Sequence, residues 1–239
     1  MRVTHFAQSA ARRLRRKLRS WCGTAPLIET LVARFCLGIG IEIGAGKTPR
    51  CPRDRTLFLD KNIGDKDSTE NADIISDASK IPLPDESMDF VFSSHVLEHM
   101  QNTIAVLKEW MRVLHPGGVI FLILPHAHRT LDRCRQLTTL EHHIDDERLG
   151  DAIDRTHFKE MKAGWIAAGE ADAERYQREW GADIWNWEFR IAHGVLHFHV
   201  WTQNEIVRLL QYLGLTIIYV EERVPEREDS FIVVARKSA

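Results

Sequence analysis

One stretch constrains this chain more than any other: the apolar run Gly38-Ile-Gly-Ile-Glu-Ile43, which breaks at Gly44-Ala45-Gly46. A short apolar run bounded by glycines reads as a strand buried on both faces, the pattern of a parallel sheet. Glycines directly after such a strand let the backbone turn tightly and approach a ligand closely. Three kinds of turn compete for these residues. A phosphate loop, G-x-x-x-x-G-K-[ST], would use Gly46-Lys47-Thr48, but its first glycine falls on Ile41, and Pro49 and Pro52 stand where its helix must begin. A dinucleotide turn, G-x-G-x-x-G, is met at Gly44 and Gly46 and fails at Pro49. The third is an acid ahead of two glycines, Glu42-x-Gly44-x-Gly46, with the next acid, Asp60, ending the run Thr56-Leu-Phe-Leu-Asp60.

The rest of the chain alternates strand and helix signals. Pro26 opens a helix carrying Leu27, Leu31, Val32 and Phe35. Asp73–Ser76 and Met88–Ser93 read as the third and fourth strands. Asn102 caps a helix whose apolar face is Ile104, Leu107, Met111 and Leu114, and Pro116-Gly117-Gly118 turns it into a fifth strand, Val119–Leu124. Thr202 and Glu205 form a capping box, followed by two strands, Leu215–Val220 and Phe231–Ala235. The last connection is too short for a crossover helix, so that pair is antiparallel. The expected fold is α/β: a Rossmann-like, doubly wound, mainly parallel seven-stranded sheet with an antiparallel last strand. Residues 126–201, polar and rich in His and Trp, read as a helical cap inserted after strand five. The organisation is a basic N-terminal helical segment (1–37), a core (38–125 and 202–239) and the cap (126–201), which would bind an acceptor.

Charge is unevenly spread. Residues 1–28 hold seven of the 32 basic residues and none of the 34 acidic ones, so that segment carries +7 and the remainder −9. A body this acidic argues against nucleic acid as a partner. Phe6, Ala10, Leu14, Leu18 and Trp21 recur at helical spacing among arginines. That pattern suits a helix lying on an anionic membrane through residues 1–22, a helix docked on the acidic body, or an organelle presequence. The four scattered cysteines form no C-x-x-C, which points to a reduced, cytoplasmic setting, peripheral at the inner membrane surface if the tail binds lipid. The oligomeric state is not legible.

Further segments complete the third reading: Asp77-Ala78-Ser-Lys-Ile-Pro-Leu-Pro84, then Met88-Asp-Phe-Val-Phe-Ser-Ser-His-Val-Leu-Glu-His99, then Val113-Leu-His-Pro-Gly-Gly118. In order and spacing, the series resembles class I S-adenosylmethionine-dependent methyltransferases of the type 11 kind. "LTTLEH" (137–142) and "HFHVWT" (197–202) are similar to a bacterial subgroup often linked to cell-surface glycan synthesis. The resemblance implies S-adenosylmethionine as cofactor. By it, Glu42 holds the methionine amino group, Gly44, Ala45 and Gly46 admit the cofactor to the backbone, and Asp60 binds the ribose. Asp77 accepts from the adenine amino group, Ala78 offers its amide, and Ser93 and Ser94 lie beside the methionine end. One departure stands out: the prolines leave little room for the helix that follows the glycine turn in that family.

Methyl transfer asks mainly for alignment and a dry site, with a base when the acceptor is a hydroxyl. His95, at the end of the fourth strand, is the first catalytic candidate and His142 the second. Glu98 and His99 read as the structural start of a helix beneath the site. His197 and His199 would share one face of a strand, with Glu141 or Asp132 as acidic neighbours, but no metal-binding spacing such as H-E-x-x-H occurs, so no metal is expected. Trp185 and Trp187 would face one way if extended, offering flat surfaces to sugar rings. The expected function is O-methylation of a sugar or glycan intermediate. The alternatives are a small-molecule acceptor, a catalytically inactive cofactor-binding module, or a nucleotide triphosphatase dependent on Lys47.

Overall fold

A computed structural model describes residues 26–61, 71–150, 156–168, 187–188 and 196–239. The basic segment 1–22, Trp180 and Trp185 lie outside the described residues. Seven strands form one sheet in the order β3-β2-β1-β4-β5-β7-β6. They are β1 (Gly40–Ile43), β2 (Thr56–Asp60), β3 (Ile74–Ile75), β4 (Met88–Ser94), β5 (Leu114–Pro125), β6 (Thr216–Glu221) and β7 (Ser230–Arg236). Neighbours from β3 to β5 run parallel, and β7 is antiparallel to both β5 and β6, as expected.

The sheet is covered on both faces because its central strands carry apolar side chains on both sides. On β5, Ile120, Leu122 and Leu124 point into one cluster and Val119, Phe121 and Ile123 into the other. The second face is covered by α1 (Leu27–Phe35), which buries Ile28, Leu31 and Val32. The first is covered by α2 (Thr103–Val113) and α5 (Gln203–Tyr212). Both helices start on the expected caps. The Asn102 side chain accepts from Ala105 N at 3.0 Å, and Thr202 and Glu205 form a complete capping box.

Several boundaries differ from the sequence expectation, among them β5, which starts at Leu114, a residue expected on the preceding helix. β1 begins at Gly40, because the Ile39 N–H donates to Asp89 Oδ2 at 2.8 Å instead of joining a ladder. β3 keeps only two residues, since the Asp73 carboxylate accepts from Phe58 N at 2.9 Å and pairs with Arg53. No helix starts at Glu98. A 3₁₀ turn, Leu97–His99, stands there and α2 begins at Thr103. Pro116-Gly117-Gly118 loops out of the ladder: the β4–β5 register jumps from Met88↔Leu114 to Phe90↔Val119.

After β5 come a 3₁₀ turn (Ala127–Arg129), α3 (Leu140–Leu149) and α4 (Thr156–Ala168). The described part of the segment read as a cap is therefore helical in its longer elements. Residues 196–200 form no strand, so His197 and His199 do not share a strand face. Among the described residues, no helix is long and apolar enough to cross a membrane.

Candidate active site

The sheet order reverses between β1 and β4. Ligands of open α/β sheets bind at such a switch point, beyond the carboxyl ends of the strands. The turns and strand ends that carry Glu42, Gly44, Gly46, Asp60, Ser93, Ser94 and His95 lie there, and His142 does not join them. Gly44 N donates to Leu59 O at 2.8 Å, and Gly46 N donates to Asp60 Oδ2 at 2.8 Å. The turn after β1 thus leans on the end of β2. Gly44 has φ +72, and a Cβ there would come within 2.2 Å of Val96 Cγ2, so only glycine allows the turn to touch the end of β4. Gly46, with φ +52, faces open space. Residues 44–55 contain no helix, which removes the structural basis of a phosphate loop.

Glu42 is only 2% exposed. Its carboxylate accepts from Arg50 N at 2.9 and 3.0 Å and from Cys51 N at 2.8 Å. Burial pushes its pKa up, against the pull of these amides. Glu42 therefore anchors the irregular loop that stands where a helix was expected to be squeezed out. Asp60 remains half-buried above the glycine turn, with Oδ1 also accepting from Lys61 N at 2.8 Å, and burial raises its pKa. Asp77 receives Lys61 Nζ at 2.7 Å and the Ser79 amide at 2.9 Å. Burial alone would raise Asp77, but these partners hold its pKa below the usual value. Ala78 is buried, its carbonyl accepting from Trp110 Nε1 at 2.9 Å. Ser93 is buried with no partner for its Oγ, and Ser94 Oγ accepts from Arg227 Nη1 at 3.3 Å.

An adenosyl compound fits these residues. The open space over Gly46, the carboxylates ending β2 and following β3, and the orphaned Ser93 hydroxyl provide room, acceptors and a polar atom in need of a partner. Asp60 would take the ribose, Asp77 the adenine amino group, and Ser93 the methionine end.

Beyond β4 the chain makes a sharp turn at His95, whose φ of +58 is rare for a side chain with a Cβ. Such strain costs of order 1–3 kcal/mol and concentrates at functional sites. The Ser230 hydroxyl donates to Asp229 Oδ1 at 2.8 Å, and His95 Nε2 lies 2.8 Å from the Ser230 oxygen. His95 Nε2 must then carry its proton, leaving the Nδ1 lone pair facing Glu98 Oε1 at 3.4 Å. Burial, with Arg227 nearby, pushes the His95 pKa down to about 3, so the ring is neutral.

Glu98, read from sequence as structural, lies beside His95. Its side chain is fully buried, and neither carboxylate oxygen has a hydrogen-bond partner. Burial pushes its pKa up to about 7. His99 Nδ1 donates to Leu196 O at 3.0 Å and holds Nε2 3.8 Å from Glu98 Oε1. His197 packs edge-on against His99, with Nδ1 2.7 Å from Asp132 Oδ2. His142 belongs to a different group, with Asp146, His157 and His199. The sequence signal for Glu98 was its place four residues beyond the end of a strand at the switch point.

Of the other residues weighed from sequence, Glu141 is exposed. Trp201 and Trp165 are buried, and Trp187 lies in a helical turn, stacked on Phe158 with ring centroids 4.9 Å apart. A groove lined by Phe35, Leu37, Gly38 and His115 lies at the opposite, amino edge of the strands and shares none of this chemistry.

A parallel sheet turning at β1 and β4, with acids at its strand ends and an open glycine turn, defines a nucleoside-cofactor-binding α/β domain. Comparison with known proteins narrows it. Residues 22–122 match the model of a methyltransferase domain. Ajmaline N-methyltransferase of Rauvolfia serpentina is 39% identical over 62 residues, 26% of this chain and 21% of that enzyme. The 27-O-demethylrifamycin SV methyltransferase of Amycolatopsis mediterranei is 33% identical over 109 residues, 44% of this chain and 38% of that enzyme. The chain thus spans well under half the length of these relatives. A solved S-adenosylmethionine-dependent methyltransferase of Thermotoga maritima shares the fold, with TM-score 0.52 and 14% identity over 95% of this chain and 98% of that one. Residues 22–122 thus match a methyltransferase domain, and the sheet has the fold of solved S-adenosylmethionine-dependent methyltransferases.

Proposed function

We propose that the protein moves a methyl group from S-adenosylmethionine to a hydroxyl of a sugar or glycan intermediate. When bound, the cofactor supplies a methyl group activated by a positively charged sulfur. The observation that carries the hydroxyl reading is the Glu98–His95 pair, with Glu98 Oε1 3.4 Å from His95 Nδ1 and the Glu98 pKa raised to about 7. A base poised near neutral pH suits removal of a hydroxyl proton as its oxygen attacks. Glu98 is the acceptor of that proton and His95 its positioned neighbour, fixed through Ser230 and Asp229.

The sugar reading rests on the resemblance of "LTTLEH" and "HFHVWT". A small-molecule acceptor is the second reading, supported by the relatives, whose names specify ajmaline and a demethylrifamycin. Incubating the protein with deuteriomethyl-labelled cofactor and cell extract separates them. Label released on methylated monosaccharides after acid hydrolysis supports the first. Label on a free metabolite supports the second, and no labelled product in any extract supports an inactive binding module.

Residues 1–22 bring this activity to an anionic membrane surface, on the strength of their seven basic residues and helical apolar spacing. Deleting them should abolish co-sedimentation with anionic vesicles, and unchanged co-sedimentation would remove the membrane from the account.

A further inference from the structure

The expectation of no metal rested on the lack of a local ligand motif. The fold brings distant residues together instead. His142 and Asp146 are four apart on α3 and so share one helix face. His157, near the start of α4, and His199, in the segment leading to α5, turn toward the same point. One donor atom from each lies within 4.8 Å of every other.

Three of the donor spacings, measured to one or the other Asp146 oxygen, approach those of a coordination shell, and the fourth is a hydrogen bond. Ligands of a tetrahedral zinc ion, at about 2.0–2.1 Å from the metal, stand about 3.3 Å apart. His142 Nε2 lies 3.2 Å from His157 Nε2 and 3.5 Å from Asp146 Oδ2. Asp146 Oδ1 lies 3.6 Å from His157 Nε2, and Asp146 Oδ2 lies 2.8 Å from His199 Nε2. The rings also converge from different directions: His157 is nearly perpendicular to both His142 and His199, at 86° and 90°.

Hydrogen bonds alone leave this cluster incomplete. Asp146 is 1% exposed, yet its Oδ1 accepts no hydrogen bond. A buried carboxylate oxygen 3.6 Å from His157 Nε2 and without a hydrogen-bond partner is costly, and a cation at the centre would satisfy it. His143, next along α3, is kept out of the group. Its Nδ1 meets Thr103 Oγ1 at 2.7 Å and its Nε2 accepts from Trp201 Nε1 at 3.0 Å.

We propose that His142, Asp146, His157 and His199 bind one zinc ion, with all four positions filled by the protein. Three imidazoles and a carboxylate suit zinc, and a site without an open position is structural. The ion ties α3, α4 and the segment before α5 to one another. His142, about a third exposed, is the side of entry.

The test uses the full chain, freed of metal by dialysis against chelator. Titration with Zn²⁺ by calorimetry, and with Co²⁺ by visible absorption, should give one equivalent bound and the intense d–d bands of a tetrahedral centre. Zinc should also raise the melting temperature. Asp146→Asn should lose the stoichiometric site, while His115→Ala, at an exposed histidine elsewhere, should keep it. If Asp146→Asn fails to fold, the partly exposed His142→Ala carries the test and should weaken zinc binding at least 100-fold. Absence of a bound equivalent, weak octahedral cobalt bands, or binding unaffected by His142→Ala would overturn the proposal.

Discussion

Glu98 Oε1 lies 3.4 Å from His95 Nδ1, with burial keeping the imidazole neutral and the carboxyl pKa raised to about 7, so the two are not joined as an ion pair. His95 is tied on its other side to Ser230, so the pair is fixed in orientation while the Glu98 carboxyl has no hydrogen-bond partner of its own. A carboxyl kept near pKa 7 is in balance between holding and accepting a proton at neutral pH.

Glu98→Gln should lower kcat by about 10²–10⁴, the usual contribution of a general base, with the KM for cofactor little changed. The wild-type rate should rise with pH through about 7 as Glu98 ionises, and the variant should lose that limb. A variant with wild-type kcat and an unaltered pH profile would remove Glu98 from the chemistry.

The same group should mark stability. Its pKa is raised from 4.5 to about 7 on folding, so the native state binds the proton more tightly than the unfolded chain. The contribution is present below about pH 4.5 and is lost as pH rises through 7. The full difference is roughly 3 kcal/mol at 1.36 kcal/mol per unit. Urea midpoints of Glu98→Gln should therefore gain on wild type between pH 4.5 and 7 and level off above. Parallel midpoints across that window would contradict the burial account.

Gly44→Ala should destabilise the fold by about 2–4 kcal/mol, combining left-handed backbone strain with overpacking against Val96. The contact part is separable. In a Val96→Ala background the same substitution should cost measurably less by chemical denaturation. Equal costs in both backgrounds would mean that Val96 does not set the turn.

How much of this was legible follows from what each residue depends on. The strands, the caps at Asn102 and Thr202 and the acids at strand ends are local patterns, and they appear where expected. β3 shortened because Asp73 bonds the neighbouring strand's backbone, a contact no periodicity reports. Glu42 kept its place at the turn, but the prolines that displaced the next helix left the amides of Arg50 and Cys51 to saturate it. Glu98 looked structural because its environment comes from a segment 100 residues away, where Phe198 N donates to Glu98 O at 2.8 Å. The group around Asp146 was hidden for the same reason: its four side chains meet only after α3, α4 and the segment before α5 pack.

The central claim is that the glycine turn and the acids around it hold an adenosyl sulfonium compound. Calorimetry with S-adenosylhomocysteine and with magnesium ATP, on wild type and Asp60→Ala, tests it most directly. The account predicts one site for S-adenosylhomocysteine, no binding of magnesium ATP, and an affinity about 10–100-fold weaker in the variant, the worth of charge-assisted hydrogen bonds to the ribose. Magnesium ATP binding that depends on Lys47, or S-adenosylhomocysteine affinity unchanged in Asp60→Ala, would contradict it.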